Sequence, residues 1–268
     1  MKVLLVNGSP RAHGCTYTAL CEVAKALEEE GIETEIFQTG TKPVQDCIAC
    51  RKCRETGKCV FNDAASELAE KAKTADGFVF GSPVYYAHPA GQVLSLLDRA
   101  FYAGGAAFAG KPGAAVVSAR RGGTAASFDV LNKYFTICRM PVVSSSYWNM
   151  VYGNTPEEVK QDLEGMQTMR NLGRNMAYLI KCIDAGKKAG IQPPRNRIAV
   201  PNQFHPLKKG RAAIWLPWLP KIKNKRSPAT LCCGAPVSPI NCQTFFSAYN
   251  IPRLSQKKAS FGSFNSKI

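Results

Sequence analysis

The sequence predicts an α/β protein built on a doubly wound, five-stranded parallel sheet. Four short apolar segments with the length of buried strands, and one segment in which apolar and polar residues alternate, are interspersed with five segments that keep helical spacing. Alternation of this kind implies a parallel sheet with right-handed helical crossovers. The first, third and fourth strands each run into a loop rich in Gly and Ser. Ligands of doubly wound sheets bind beyond the carboxyl ends of the strands, so we expect these three loops to converge on one site.

The first half of the chain supplies three strands and two helices. The predicted strands are residues 3–6, 32–37 and 77–80. Helical spacing follows the first strand and continues through Leu27. Asn62 or Asp63 is expected to cap a second helix that runs to Ala75. The third strand is expected to end at the turn residues Gly81-Ser82-Pro83.

The second half repeats the pattern. Strands are predicted at residues 114–118 and 141–144, and helices at 92–102 and around 128–138. The fourth strand runs into Arg120-Arg121-Gly122-Gly123. Thr155-Pro156-Glu157-Glu158 is a capping box with proline at the first helical position, and it opens one long amphipathic helix. Gly186, Gly190 and Pro193-Pro194 are expected to stop that helix.

The loop after the first strand has the chemistry of a phosphate site. A helix that starts near Thr16 would direct unpaired N–H groups and the positive end of its dipole at this loop. Ser9 and Thr16 add hydroxyls, and Arg11 can bind two phosphate oxygens. Gly8 and Gly14 let a ligand approach the backbone closely. The spacing excludes the nucleoside-triphosphate loop and G-x-G-x-x-G, so a mononucleotide phosphate fits better; the alternative is an ordinary turn that binds nothing.

Four cysteines form the run C-x2-C-x2-C-x5-C between the second strand and the second helix. They are Cys47, Cys50, Cys53 and Cys59. Four thiolates in a compact turning loop can bind the irons of a [4Fe-4S] cubane. Zinc is the main alternative, although zinc sites usually use two separated C-x-x-C knuckles, and free structural cysteines are the third interpretation. The first apolar run is too short for a secretory signal, so we expect a cytoplasmic protein in which cysteines serve metals or redox chemistry rather than disulfides.

The charge of the chain is concentrated in its last segment. The formal net charge is +16, but residues 195–268 hold 13 Lys and Arg and no Asp or Glu, which leaves residues 1–194 with a net charge of +3. We therefore expect one domain over residues 1–192 and a basic, proline-rich extension over 193–268 that is disordered or not part of the fold. Ile214–Arg226 could contact an anionic membrane or nucleic acid, but we expect neither as a partner.

Three motifs and the cysteine run together resemble one family. NGSPRAHGCT (7–16), GSPVYYAHPAGQVLSLLDR (81–99) and VVSARRGG (116–123) look like the NADPH-dependent FMN reductase branch of the flavodoxin-like proteins. The cysteine run makes the chain most similar to the iron-sulfur flavoproteins. The resemblance covers about residues 1–192 in the family's motif order. It implies bound FMN, flavin-mediated electron transfer and a dimer or tetramer with flavin near a subunit interface.

The resemblance also implies which residues hold the flavin. The first motif maps the phosphate contacts to Ser9, Arg11, Cys15 and Thr16. The second maps the isoalloxazine contacts to Pro83, Val84, Tyr85 and Tyr86. The third places Arg120, Gly122 and Gly123 on the other side of the ring.

The expected function is an FMN-dependent oxidoreductase. NAD(P)H would reduce the flavin, which would pass electrons to an acceptor directly or through the [4Fe-4S] cluster of the cysteine run. The alternative is an electron-transfer module that exchanges electrons with ferredoxin or another redox protein and turns over nicotinamide slowly. No Ser-His-Asp or paired-carboxylate arrangement stands out, so we name no acid-base catalyst.

Overall fold

A computed structural model describes residues 1–194 of the chain. The predicted basic extension, except for its first two residues, lies outside the described residues. The helices are α1 (Cys15–Glu29), α2 (Lys52–Thr56), α3 (Ala64–Lys71), α4 (Gly91–Phe108), α5 (Thr124–Ile137), α6 (Pro156–Gln161) and α7 (Leu163–Lys188). None of these helices combines the length and the apolar character that a membrane span requires.

Five strands of the sheet run parallel. They are β1 (Lys2–Asn7), β2 (Glu33–Gln38), β3 (Gly77–Tyr85), β5 (Gly113–Ala119) and β6 (Met150–Tyr152), and a two-residue strand, β4 (His88–Pro89), pairs antiparallel with the end of β3. The spatial order is β2-β1-β3-β5-β6. This is the flavodoxin-like order, in which the strand order reverses between β1 and β3. The predicted fold class is confirmed.

Apolar side chains fill the space on both faces of the sheet, because successive residues of a strand point to opposite faces. In β1, Leu4 and Val6 belong to one core and Val3 and Leu5 to the other. The first core lies under α3, α4 and α5 and contains stacked aromatic rings, including a pair of centroids 5.2 Å apart (Phe80 and Phe135). The second core is formed with α1 and α7, so both faces are covered, as a doubly wound sheet requires.

The predicted fifth strand at residues 141–144 is wrong. Only Val142 of that segment forms a bridge, to Gly113, and the fifth parallel strand is instead Met150–Tyr152. The chain leaves the sheet after Val143 because α7 binds the three serines that follow. Ser145 donates to the Thr168 carbonyl at 2.7 Å, and asparagine side chains of α7 bond to the other two serines.

Two other boundaries differ from the prediction. Thr155 caps α6 by accepting from the Glu158 N–H at 3.3 Å, but the expected long helix is broken after one and a half turns. At the break, Asp162 accepts from the Gly165 N–H at 2.9 Å and starts α7 as a separate helix. Asp63 caps α3 as one of the two predicted residues, and that helix ends at Lys71 rather than Ala75.

The third strand does not end at Gly81-Ser82-Pro83. These residues belong to β3, which continues to Tyr85 and returns through a two-residue hairpin into β4. Tyr86 and Ala87 form the hairpin turn with φ of 51° and 59°. Positive φ at both central residues is typical of a type I′ turn, whose twist matches that of the flanking strands. Asn and Gly are the residues that usually occupy these two positions.

Candidate functional site

The three Gly/Ser-rich loops meet at the carboxyl edge of the sheet, as expected. The Gly8 N–H donates to the Gly81 carbonyl at 2.8 Å, which joins the loop after β1 to β3. A Cβ on Gly8 would lie 2.6 Å from the same oxygen, so only glycine fits. On the other side, a Cβ on Gly123 would lie 2.5 Å from the Cα of Ala87, which places the loop after β5 directly against the β3–β4 hairpin.

The loop after β1 is held in shape by two amide side chains. The Asn7 Oδ1 accepts from the Ser9 N–H at 3.2 Å, and Nδ2 of the same residue donates to the Gln38 Oε1. Gln38 in turn donates through Nε2 to the Ser9 carbonyl at 2.7 Å. Asn7 and Gln38 are direct neighbours in the register of β1 and β2. Sequence reasoning missed Gln38, because its role depends on the pairing of two strands that are distant in the chain.

The first turn of α1 opens into this loop. The helix begins at Cys15 with Gly14 at the N-cap, and no described side chain caps it. The N–H groups of residues 15–17 therefore have no intrahelical acceptor. Ser9 of the same loop is buried, and its Oγ accepts from the Arg11 N–H at 3.2 Å. The exposed Arg11 guanidinium forms no hydrogen bond or ion pair with any described residue, so an anion could recruit it.

The side chains of Cys15 and Thr16 point to other elements. The Thr16 hydroxyl lies 2.8 Å from the Ser118 hydroxyl, linking α1 to β5, and Thr16 is fully buried. The Cys15 Sγ donates to the Gly153 carbonyl at 3.7 Å. Burial raises the pKa of the Cys15 thiol, which keeps it protonated at neutral pH. These two residues therefore offer an anion their backbone N–H groups rather than their side chains.

The β3–β4 hairpin presents two aromatic rings to solvent. Tyr86, at the left-handed turn, is fully exposed, and Tyr85 beside it is half exposed. Pro83 and Val84 lie just before them, where Val84 pairs with Pro89 and contacts the position that a Gly123 side chain would occupy. Exposed aromatic rings on a strained turn are typical of binding loops rather than of a core.

The loop after β5 carries two exposed cations. Arg120 and Arg121 make no ion pair with any described residue. Gly122 is exposed, and Gly123 has a φ of 89° at the N-cap of α5, a conformation that side chains disfavour. This loop therefore places free positive charge beside the tyrosine hairpin.

All four cysteines of the run line one cavity of about 330 Å³ between residues 47–61 and α4. Cys47 and Cys50 are exposed, and Cys53 and Cys59 are half buried. In the described part of the chain, no three His, Cys, Asp or Glu side chains are gathered closely enough to hold a single metal ion. The loop turns sharply, with positive φ at Ala49 and Arg51.

A buried arginine lines this cavity together with the cysteines. Arg99 of α4 is 1% exposed, and its Nε donates to the Cys59 Sγ at 3.3 Å. Its two terminal nitrogens bind the Asp63 carboxylate at 2.6 and 2.8 Å. Burial alone would raise the pKa of Asp63, but the hydrogen bonds and charge of Arg99 outweigh it and lower the pKa. Arg99 belongs to the second sequence motif, but nothing in the sequence indicated its contact with the cysteine run.

Comparison with known proteins relates the chain to flavoproteins. Residues 1–155 match the family model described as NADPH-dependent FMN reductase. An iron-sulfur flavoprotein of Methanocaldococcus jannaschii is 37% identical over 191 residues, covering 68% of this chain and 99% of the relative. An iron-sulfur flavoprotein of Methanosarcina thermophila is 32% identical, covering 70% and 99%.

A solved structure shows the same fold at low identity. The NAD(P)H:quinone oxidoreductase from Methanothermobacter marburgensis superposes with a TM-score of 0.51 at 16% identity, covering 66% of this chain and 98% of that one. The family match spans more than half of the sequence, and the two flavoproteins align over almost their full length. The chain therefore belongs to the NADPH-dependent FMN reductase family.

Proposed function

We propose that the protein binds FMN at the three converging loops and transfers electrons from NAD(P)H to an acceptor. The observation that carries the proposal is the uncapped first turn of α1, which faces a loop fixed by Asn7 and Gln38 next to the exposed tyrosine hairpin. A helix start with free N–H groups binds phosphate, and flat aromatic side chains bind a flat ring. When bound, FMN supplies the hydride and single-electron chemistry.

The protein is proposed to bind phosphate by holding the donor groups of the first loop in position. Gln38 and Asn7 fix the Ser9 backbone on both its N–H and C=O sides, so the loop needs little rearrangement to receive an anion. Residues 15–17 offer N–H groups, Ser9 offers a hydroxyl hydrogen, and Arg11 offers a guanidinium. In this proposal Cys15 and Thr16 bind phosphate through their backbone.

The ring is proposed to lie between the tyrosine hairpin and the loop after β5. Pro83, Val84, Tyr85 and Tyr86 would contact one side, and Arg120, Gly122 and Gly123 the other. A flavin gains negative charge on reduction, so free arginine charge at this position favours the reduced form and raises its potential. No described carboxylate neutralises either arginine of that loop, which supports this role.

The cysteine run is proposed to hold a [4Fe-4S] cluster. The donor set fits: four thiols line one cavity, and no carboxylate or imidazole lines it with them. A cubane distributes its four ligands over four irons, so the thiols need not converge on one point as they must around zinc. The relatives named iron-sulfur flavoproteins support the same assignment.

The decisive experiment is the FMN, iron and sulfide content of the full chain purified without oxygen. We expect one FMN with about 4 iron and 4 sulfide per chain. Ser replacements at Cys47, Cys50 or Cys53 should remove the iron and leave the FMN. Replacement of Cys182 by Ser is the matched control, since Cys182 is exposed on α7 outside the run. FMN without iron in the wild type would reject the cluster, and absence of FMN would reject the whole proposal.

Exposure of the cysteine run favours a second candidate, an electron-transfer protein that exchanges electrons with ferredoxin or a similar protein. Cys47 and Cys50 lie at the surface, where a partner could approach the cluster. Rapid bleaching of the bound flavin by NADPH alone would support the reductase. Bleaching only in the presence of a reduced redox protein would support the second candidate. Gel filtration would test the dimer or tetramer that we also propose.

A further inference from the structure

We propose that Arg99 is a positioning residue for the cysteine run, fixing the Cys59 sulfur and tuning a bound cluster through an N–H···S hydrogen bond. This inference rests on the proposed cluster. It adds a residue from α4, 40 positions from Cys59, that is not itself a ligand.

The geometry leaves the guanidinium no freedom to turn. One terminal nitrogen donates to the Gln45 carbonyl at 3.0 Å as well as to Asp63, and the other donates to the Phe61 carbonyl at 3.3 Å. The Phe61 ring lies 4.8 Å from the guanidinium carbon. With every other direction occupied, the Nε–H has one fixed partner, the Cys59 Sγ at 3.3 Å.

The four cysteines are therefore not equivalent. Cys47 and Cys50 are exposed on a turn with positive φ at Ala49 and Arg51, and no described side chain bonds to their sulfurs. Cys59 is joined to a buried group whose own partner, Asp63, caps α3. Arg99 thus anchors the end of the run to the core and leaves the first part to close over a cluster.

The bond has a chemical consequence for a bound cluster. A donor aimed at a ligand sulfur withdraws electron density and stabilises the more negative, reduced state, which raises the reduction potential. The Asp63 carboxylate largely offsets the charge of Arg99 at longer range. The directional N–H···S bond is then the main contribution of this pair to the potential.

Three variants separate this role from simple stabilisation. Arg99→Lys keeps the cation but lacks the fixed Nε–H, and Arg99→Gln removes the charge as well. Asp63→Asn weakens the ion pair but leaves the bond to Cys59. In anaerobic redox titrations of cluster-loaded protein, both Arg99 variants should have a lower cluster reduction potential than wild type. We expect the reduced-to-oxidised ratio at a given applied potential to fall about tenfold, which corresponds to about 59 mV for one electron. Asp63→Asn should lower stability without lowering the potential.

An Arg99→Lys protein with wild-type cluster content and wild-type potential would overturn the proposal. Equal falls in potential for Arg99→Lys and Asp63→Asn would also overturn it, because they would indicate a general loss of structure.

A measurement on metal-free, full-length protein tests the positioning without any cluster. The Arg99 Hε–Nε NMR signal should be protected from exchange and should move on Cys59→Ala. It should stay in place on Cys53→Ala, since Cys53 lines the same cavity but forms no hydrogen bond with Arg99. An Arg99 Hε–Nε signal that does not move on Cys59→Ala would reject the proposal that Arg99 positions Cys59. A wild type without iron but with the Cys59-dependent signal would reject the cluster and retain the positioning of Cys59.

Discussion

Replacement of Gly123 by Ala should disrupt FMN binding by moving the tyrosine hairpin. The new Cβ would lie 2.5 Å from the Cα of Ala87, roughly 1 Å short of an ordinary contact. Because the obstacle is backbone, the hairpin must shift to relieve the overlap. The φ of 89° adds a conformational penalty of about 1 to 2 kcal/mol for any residue with a side chain. We expect the Kd for FMN, measured by flavin fluorescence, to rise at least about tenfold, which corresponds to about 1.4 kcal/mol.

Gly31→Ala is the matched control for this variant. Its φ of 77° carries the same conformational penalty, but its new Cβ would meet no atom within 4 Å. Gly31 lies in the turn between α1 and β2, at the opposite edge of the sheet from the three loops. In denaturant titrations, Gly31→Ala should lose only the stability that the φ penalty accounts for, and Gly123→Ala should lose more because of its added overlap with the hairpin. Only Gly123→Ala should lose affinity for FMN. Equal FMN affinity in the two variants would refute the reasoning.

The remaining predictions concern charge and aromatic contact. Asp63→Asn should destabilise the protein at pH 7, and its difference from wild type in unfolding free energy should shrink as the pH falls below about 4. The reason is that a carboxylate with a lowered pKa contributes stability above its unfolded pKa of about 3.9 and loses that contribution when it is protonated in the folded protein. Denaturant titrations from pH 7 to 3 measure the difference, and a constant value would contradict the prediction. Replacing Tyr85 and Tyr86 by Ala should weaken FMN binding by about 0.5 to 1.5 kcal/mol per tyrosine ring. The unfolding free energy should change little, since both tyrosine rings are exposed. Fluorescence titration measures the affinity and thermal melts the stability, and an unchanged affinity would place the isoalloxazine ring elsewhere. The double variant Arg120→Ala, Arg121→Ala should lower the FMN potential in a spectroelectrochemical titration, and a wild-type potential would reject the proposed role of the two arginines.

Local sequence signals predicted the sheet and the approach of its loops. Apolar segments located β1, β3 and β5, alternation of apolar and polar residues located β2, and glycines at the strand ends marked where the loops would meet. The match between Thr155 and Glu158 predicted the start of α6 correctly. These signals act over a few residues, so they can be read from the chain alone.

The features that sequence reasoning missed depend on distant partners. Residues 141–144 have the apolar character of a strand, but hydrogen bonds between α7 and the serines that follow Val143 hold the chain away from the sheet before that strand can extend. Gln38 and Arg99 act through groups 29 to 54 positions away. A polar residue in a helix or strand gives no local sign of such a bond, so only the fold identifies it.

The bare first turn of α1 has a consequence for the amount of protein in a cell. A ligand that binds only the native state adds about 2.7 kcal/mol of stability when its concentration is 100 times its Kd. That is a large share of the roughly 5 to 15 kcal/mol that holds a typical domain folded. Proteases degrade chains that open transiently, and the flavin-free chain would open more often. Flavin supply would then control how long each polypeptide survives as well as how many copies are active.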